Sequence, residues 1–136
     1  MSLSGARYKY PVSSSELDRR LEAVQQVLKE KGLDCAVAQT TSTIFDSVIR
    51  YMTDKPCHAY GTSLIIPSSG KMTMINHGFD NDSAFVAADL RNVEKLITKP
   101  YCQPFCCTDG MHGQVIAREL KEKGFKRIGQ SPDHAF

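Results

Sequence analysis

The chain contains no apolar run approaching the roughly 20 residues that cross a bilayer, and its opening stretch, MSLSGARYKYPVSSS, lacks the apolar centre of a secretory signal. A membrane span and a secretory leader are therefore not expected, and the chain reads as a soluble cytoplasmic protein. An excess of one charge is missing too. The 17 Lys and Arg residues stand against 15 Asp and Glu, a formal net charge of +2 spread along the sequence. No basic stripe of the kind that neutralises phosphates results, and nucleic acid is not an expected partner. The glycine patterns that cradle nucleotide phosphates, G-x-G-x-x-G and the Walker loop, are absent, as is the G-x-S-x-G elbow of serine hydrolases. Five cysteines, an odd number, read without a secretory leader as reduced thiols rather than as a disulfide framework.

What is present suffices for one folded domain. In 136 residues with 41% hydrophobic content, folding is expected to hide roughly 65–70% of the unfolded chain's surface around a single core. The stretch SSSELDRRLEAVQQVLKEKG carries a helix start, body and stop. Ser13 and Glu16 have capping-box spacing, with Ser15 as a second candidate N-cap. Leu17, Leu21, Val24, Val27 and Leu28 recur at helical spacing, and Gly32 can adopt the left-handed exit. DCAVAQ then reads as a short buried strand. Ile44, Phe45, Val48 and Ile49 predict a short helix capped by Ser42 or Thr43, TDKPCHAYG a loop, and TSLIIPSSGKMTMIN a hairpin turning at PSSGK. Beyond the polar HGFDND, Ser83 is a candidate cap for another short helix and NVEKLIT a candidate strand, with Pro100 and Pro104 breaking what precedes them. From Asp109 or Gly110, Met111, Val115, Ile116 and Leu120 mark a further amphipathic helix; Gly124 ends it, and FKRIGQ reads as a strand. Helices and strands alternate except at the hairpin, which predicts an α/β fold: a mixed sheet with a central hairpin, flanked by helices. The pentapeptide LKEKG occurs at 28–32 and again at 120–124. Its flanks share little beyond apolar spacing, so the repeat reads as one helix-to-strand exit used twice rather than a copied module.

Three clusters hold residue types capable of site chemistry. Cys102, Cys106, Cys107 and His112 in CQPFCCTDGMH provide four sulfur or nitrogen ligands, but zinc sites usually draw on two paired knuckles and only a single C-x3-C is present. The vicinal Cys106 and Cys107 lack the C-x-x-C arrangement of a thioredoxin-type pair. His77, Asp80 and Asp82 lie close together in HGFDND without the glycine and glutamate of an EF-hand loop, so a solvated loop is the expectation there. His58 beside Cys57 is read as a loop histidine near a thiol by chance, since neighbouring residues do not by themselves make a dyad.

An ordered series of loose motifs carries more. An opening helix ends in Gly-Leu-Asp before the first strand (KGLDCAVAQ), a turn reads VIRYMTD at 48–54, the hairpin TSLIIPSSGKMTMI follows, and RNVEKLITKPYCQPF precedes a helix and KGFKRIG. In this order, from Glu16 to Gly129, the chain resembles the N-terminal domain of the creatinase, prolidase and aminopeptidase P family of two-domain metallohydrolases. The resemblance implies a creatinase N-terminal-domain fold with a ribonuclease H-like motif, without catalytic residues or cofactor in this part of the protein. In that family the chemistry lies in a second domain, where Asp, Asp, His, Glu and Glu hold two divalent metal ions (Mn, Co or Zn), or where creatinase itself acts without metal. By the same implication residues 1–15 are an N-terminal extension, of which MSL is compatible with an expression remnant. Residues 16–131 are then the domain, and 132–136 begin a linker to a catalytic domain.

The partners so implied are that C-terminal catalytic domain and a second subunit in a homodimer. Tyr51, Asp54, His58 and Tyr60 would then lie near the mouth of a neighbouring subunit's active site. The family's turn often has Asn near its start and Gly at its end, where this chain has Ser47 or Val48 and Asp54. Asp54 agrees better with creatinase-like members, which leaves Xaa-Pro peptidase and creatinase-like activities both open. A competing reading of the same residues packs Tyr51 in the core and makes Asp54 a turn cap. Two other functions stand beside the family reading. One is an independent zinc or thiol protein built on Cys102, Cys106 and Cys107; the other is a stand-alone α/β ligand-binding module with a deep pocket above its strand ends.

Overall fold

The first helix, α1 (Ser14–Glu30), starts at Ser13, whose backbone is extended and whose hydroxyl accepts the Glu16 amide N–H at 3.2 Å. Only half of the expected capping box forms, because the Glu16 carboxylate turns outward to Arg19 and Arg20 at 2.7 and 2.8 Å instead of reaching back. Leu17, Leu21 and Leu28 are buried, each contributing on the order of 1.5–3 kcal/mol relative to exposure. Val27, expected on this stripe, is 47% exposed. At about 100° per residue it sits about 80° around the helix from Leu17 and about 100° from Leu28, off the buried arc.

The computed structural model describes residues 11–39, 47–55, 62–77, 90–99 and 109–130. After α1 come β1 (Cys35–Gln39), α2 (Ser47–Thr53), β2 (Ser63–Pro67), β3 (Met72–His77), β4 (Val93–Lys99), α3 (Asp109–Glu122) and β5 (Ile128–Gln130). The strands form one five-stranded sheet in the order β4-β3-β2-β1-β5. β1 with β2 and β2 with β3 are antiparallel; β3 with β4 and β1 with β5 are parallel. The expected α/β architecture with a hairpin at its centre is therefore present, and β2 alone runs against the other four strands. Among the described residues no helix is long and apolar enough to cross a membrane.

The two faces of the sheet follow from the alternation of side chains along a strand. Ala36, Ala38, Leu64, Ile66, Met72 and Met74 face α1 and α2, where Leu21, Leu28, Ile49 and Met52 close the core. Cys35, Val37, Ile65 and Ile75 face the other way, against Val115 and Ile116 of α3. Both faces are covered, so β2 reads as a continuous apolar run, SLIIP, buried along its whole length. Sequence periodicity located α3 and its buried Val115 and Ile116 but not Glu119, which is 3% exposed and paired with Lys95 of β4 at 2.6 Å.

Both LKEKG segments end their helices in the same way. Gly32 and Gly124 have φ of +62° and +70°. The Gly32 N–H reaches the Lys29 carbonyl at 3.0 Å and the Leu33 N–H the Leu28 carbonyl at 2.8 Å; the equivalent bonds of Gly124 to Lys121 and Phe125 to Leu120 are 3.1 and 2.9 Å. This crossed pair is the Schellman arrangement, completed by apolar contact between the residue after the glycine and the helix. Leu33 accordingly packs on the α1 core with Leu28, and Phe125 packs with Leu120 on the α3 core.

Candidate functional site

The sequence placed its candidate residues around the end of α2, and the described part of that region is built as a clamp. Thr53 donates its hydroxyl to the Ile49 carbonyl at 2.7 Å, closing the last turn. Asp54 leaves the helix with φ of +57° while its N–H bonds the Arg50 carbonyl at 2.8 Å, a conformation that Asp tolerates better than most side chains. Its Oδ2 accepts the Val12 amide N–H at 2.9 Å and Arg91 Nη2 at 3.1 Å. Arg91 also donates Nη1 to the Val12 carbonyl, so one guanidinium and one carboxylate hold the residue ahead of α1 from both sides. Asn92, itself at φ +61°, donates to Asp18 of α1 at 2.9 Å. Asp54 is thus 8% exposed and internally engaged, anchored to chain before α1 rather than capping a local turn.

Tyr51, one turn earlier, is 47% exposed and does not pack in the core. The Arg20 guanidinium lies 4.3 Å from its ring centroid and donates Nη1 to its carbonyl at 2.8 Å. Arg20 in turn is held by Glu16. Hydrogen bonds from Arg19 and then Arg20 pull the Glu16 carboxyl down to about 2, well below the usual range for Glu. His58 and Tyr60 lie outside the described residues, as do Cys102, Cys106, Cys107, Asp80, Asp82 and the side chains of His77 and His112.

Behind Tyr51 and Asp54 a cavity of ≈ 850 Å³ opens between α1, α2 and the sheet. Its floor is made of the smallest side chains on this face: Ala36 and Ala38 of β1 and Gly129 of β5, which is paired with Ala36. Val24, Leu28, Met52 and Ile66 form walls, while Arg20, Arg50, Tyr51, Asp54 and Gln130 supply the polar groups. The cavity lies against a face of the sheet, not above the strand ends. At the strand ends themselves Thr62, Ser63 and Asn76 are buried, with contacts from Thr62 to Asn76 at 3.4 Å and from Gln39 to Ser63 at 3.3 Å.

Among the described residues no group of three or more His, Cys, Asp or Glu side chains could hold a metal ion. Cys35 is buried in the α3-side core, and desolvation, with Asp34 nearby, pushes its thiol up to about 11, the opposite of an activated nucleophile. Sequence reasoning did not find Arg20, Arg50 or Arg91; Asp54 and Arg91 stand 37 residues apart, and no short spacing rule links them.

No protein-family model matches the chain, and no curated protein does. Solved structures do. An Xaa-Pro aminopeptidase from Streptococcus pyogenes matches with a TM-score of 0.63 at 17% identity, covering 91% of this chain and 80% of that one. A proline dipeptidase from Streptococcus pneumoniae matches at 0.58 and 16% identity, covering 86% and 76% of the two chains. The creatinase/prolidase N-terminal domain of an X-Pro dipeptidase from Streptococcus pyogenes matches at 0.57 and 15% identity, covering 87% and 79%. The fold is that of the creatinase/prolidase N-terminal domain.

Proposed function

We infer that this chain is a non-catalytic N-terminal domain of a hydrolase of the creatinase and Xaa-Pro peptidase type. The observation that carries this reading is the likeness in fold over 91% and 87% of the chain to an Xaa-Pro aminopeptidase and to an X-Pro dipeptidase N-terminal domain. The work of the domain is then to assemble and to shape. It packs against its own catalytic domain and a second subunit, in the cytoplasm, and presents the end of α2 toward the neighbour's active-site mouth. Of the two described residues named for that role, Tyr51 is exposed enough to meet a partner, whereas Asp54 holds α2 in place from behind. The divalent metals belong to the catalytic domain.

The test is to express the complete reading frame and to assay it against Xaa-Pro dipeptides and creatine, with and without added Mn, Co or Zn. Turnover by the longer protein, with none by the 136-residue chain, is expected. A reading frame that lacks the five metal ligands in the family's order, or turnover by the short chain above a blank, overturns the reading. Assembly is tested separately by the mass of the longer protein in solution: a dimer is expected, and Tyr51→Ala should alter peptide KM more than stability.

A further inference from the structure

The cavity behind α2 owes its existence to particular residue choices. On the sheet face that carries α1 and α2, β2 and β3 place Leu64, Ile66, Met72 and Met74, whereas β1 and β5 offer only Ala36, Ala38 and Gly129. Large side chains there would fill the space under the helices; the small ones leave ≈ 850 Å³, inside the roughly 300–1,000 Å³ range of small-molecule sites. The walls are apolar and the rim is cationic. Asp54 on the rim is neutralised by Arg91. Arg20 shares Glu16 with Arg19, leaving that trio with one net positive charge. Arg50, exposed in the last turn of α2, has no salt-bridge partner among the described residues. An apolar chamber under two unbalanced guanidinium charges selects a ligand with a hydrocarbon or aryl body and one anionic head.

We propose that this cavity is a binding site for a small amphipathic carboxylate, its apolar body against Ala36, Ala38, Met52 and Ile66 and its head at Arg50. Nothing in the inference depends on a catalytic domain, so it stands or falls apart from the hydrolase reading. A zwitterion would leave its ammonium group without a partner, because the carboxylate in the lining, Asp54, is already held by Arg91.

The experiment titrates the 136-residue chain with decanoate and, as the matched cation, decylamine, by calorimetry and by amide chemical shifts. Saturable one-to-one binding of decanoate is expected, with shifts concentrated at Ala36, Ala38, Met52 and Ile66. Decylamine should bind about tenfold more weakly or not at all, and Arg50→Glu should weaken decanoate about tenfold. Ala36→Leu should abolish binding by filling the floor while leaving the melting temperature near wild type. If that variant does not fold, the shift map and Arg50→Glu still decide the matter. Absence of saturable binding, equal binding of both probes, or shifts confined to other residues overturns the proposal; the first of these is the result expected if the chain's own side chains occupy the space.

Discussion

Replacing Gly32 and Gly124 by alanine separates two effects that are usually measured together. Both glycines sit at left-handed φ, +62° and +70°, where a residue with a Cβ pays about 1–2 kcal/mol. Alanine also restricts the unfolded chain and recovers about 0.4–1 kcal/mol of that, so the conformational cost alone is about 1 kcal/mol. At Gly124 nothing lies within 4 Å of the added Cβ, and the conformational cost is the whole effect. At Gly32 the Cβ would lie 2.8 Å from Arg127 Nη1. That group is the far end of a flexible, exposed side chain whose bond to the Lys31 carbonyl is long, at 3.4 Å, so displacing it adds only a few tenths of a kcal/mol. Gly124→Ala should therefore cost about 1 kcal/mol and Gly32→Ala slightly more, each lowering the melting temperature by about 3–5 °C for a domain of this size. Two further variants identify the cause. Asparagine at either site should cost less than alanine, because it tolerates the left-handed region. Arg127→Ala should bring the cost of Gly32→Ala down to that of Gly124→Ala. Thermal unfolding followed by circular dichroism reads all of these. Unchanged melting of the alanine variants, or asparagine as costly as alanine, would refute the capping argument.

Asp54→Ala strands the Val12 N–H and the Arg91 guanidinium in a partly buried setting and places a Cβ-only residue at φ +57°; a loss of about 1–3 kcal/mol in urea denaturation is expected, with Asp54→Asn losing less. The Lys95–Glu119 pair should respond asymmetrically. Lys95→Met leaves the buried Glu119 carboxylate unpaired and should cost about 1–3 kcal/mol, whereas Glu119→Met in the same packing should be close to neutral, as a chemical-denaturation series will show. Acid should weaken the fold through Asp34 and Glu16. Backbone N–H groups of Arg127 and Lys126 lower the Asp34 carboxyl, and Arg19 and Arg20 lower that of Glu16. With folded values below unfolded ones, their contribution is complete above the usual carboxylate range and is lost as pH falls below it, toward about 2 for Glu16; Asp34→Asn should flatten the dependence of the urea midpoint on acid pH, and an unchanged slope would count against the Asp34 bonds.

Much of this fold was legible because its signals are local. Ser13, the Leu17–Leu21–Leu28 stripe, both glycine exits and the 68–71 turn are each read within a few residues, and each is present. Val27 was misread because an apolar residue at an approximately helical interval need not lie on the buried arc. The site was less legible because it is non-local. Asp54 was singled out for a resemblance, yet what fixes its geometry is Arg91, which opens RNVEKLITKPYCQPF without being marked for any role, and the backbone of Val12. The cavity was invisible for a related reason. Ala36, Ala38 and Gly129 look unremarkable in sequence, and their small size matters only once β5 is known to lie beside β1.

That pairing also explains why one pentapeptide serves twice. The two helix exits feed β1 and β5, which are parallel neighbours with Cys35 opposite Ile128, although the helices lie on opposite faces of the sheet. Asp34 joins the two exits: its N–H bonds the Arg127 carbonyl at 2.8 Å, and its Oδ2 accepts the Lys126 and Arg127 amide N–H groups at 2.7 and 2.8 Å. A helix leaving from above and one leaving from below must bring their strands into the same register, so the same exit geometry on each side keeps the two strand starts level. The Gly-Leu-Asp that suggested a family is therefore a structural joint. The glycine turns the chain, the leucine seats it on the core, and the aspartate ties it to the strand that completes the sheet. An enzyme-like reading of that motif would mistake a joint for a site, although the joint bears on the cavity, since its Leu33, and Gly129 of the strand it ties in, both line it.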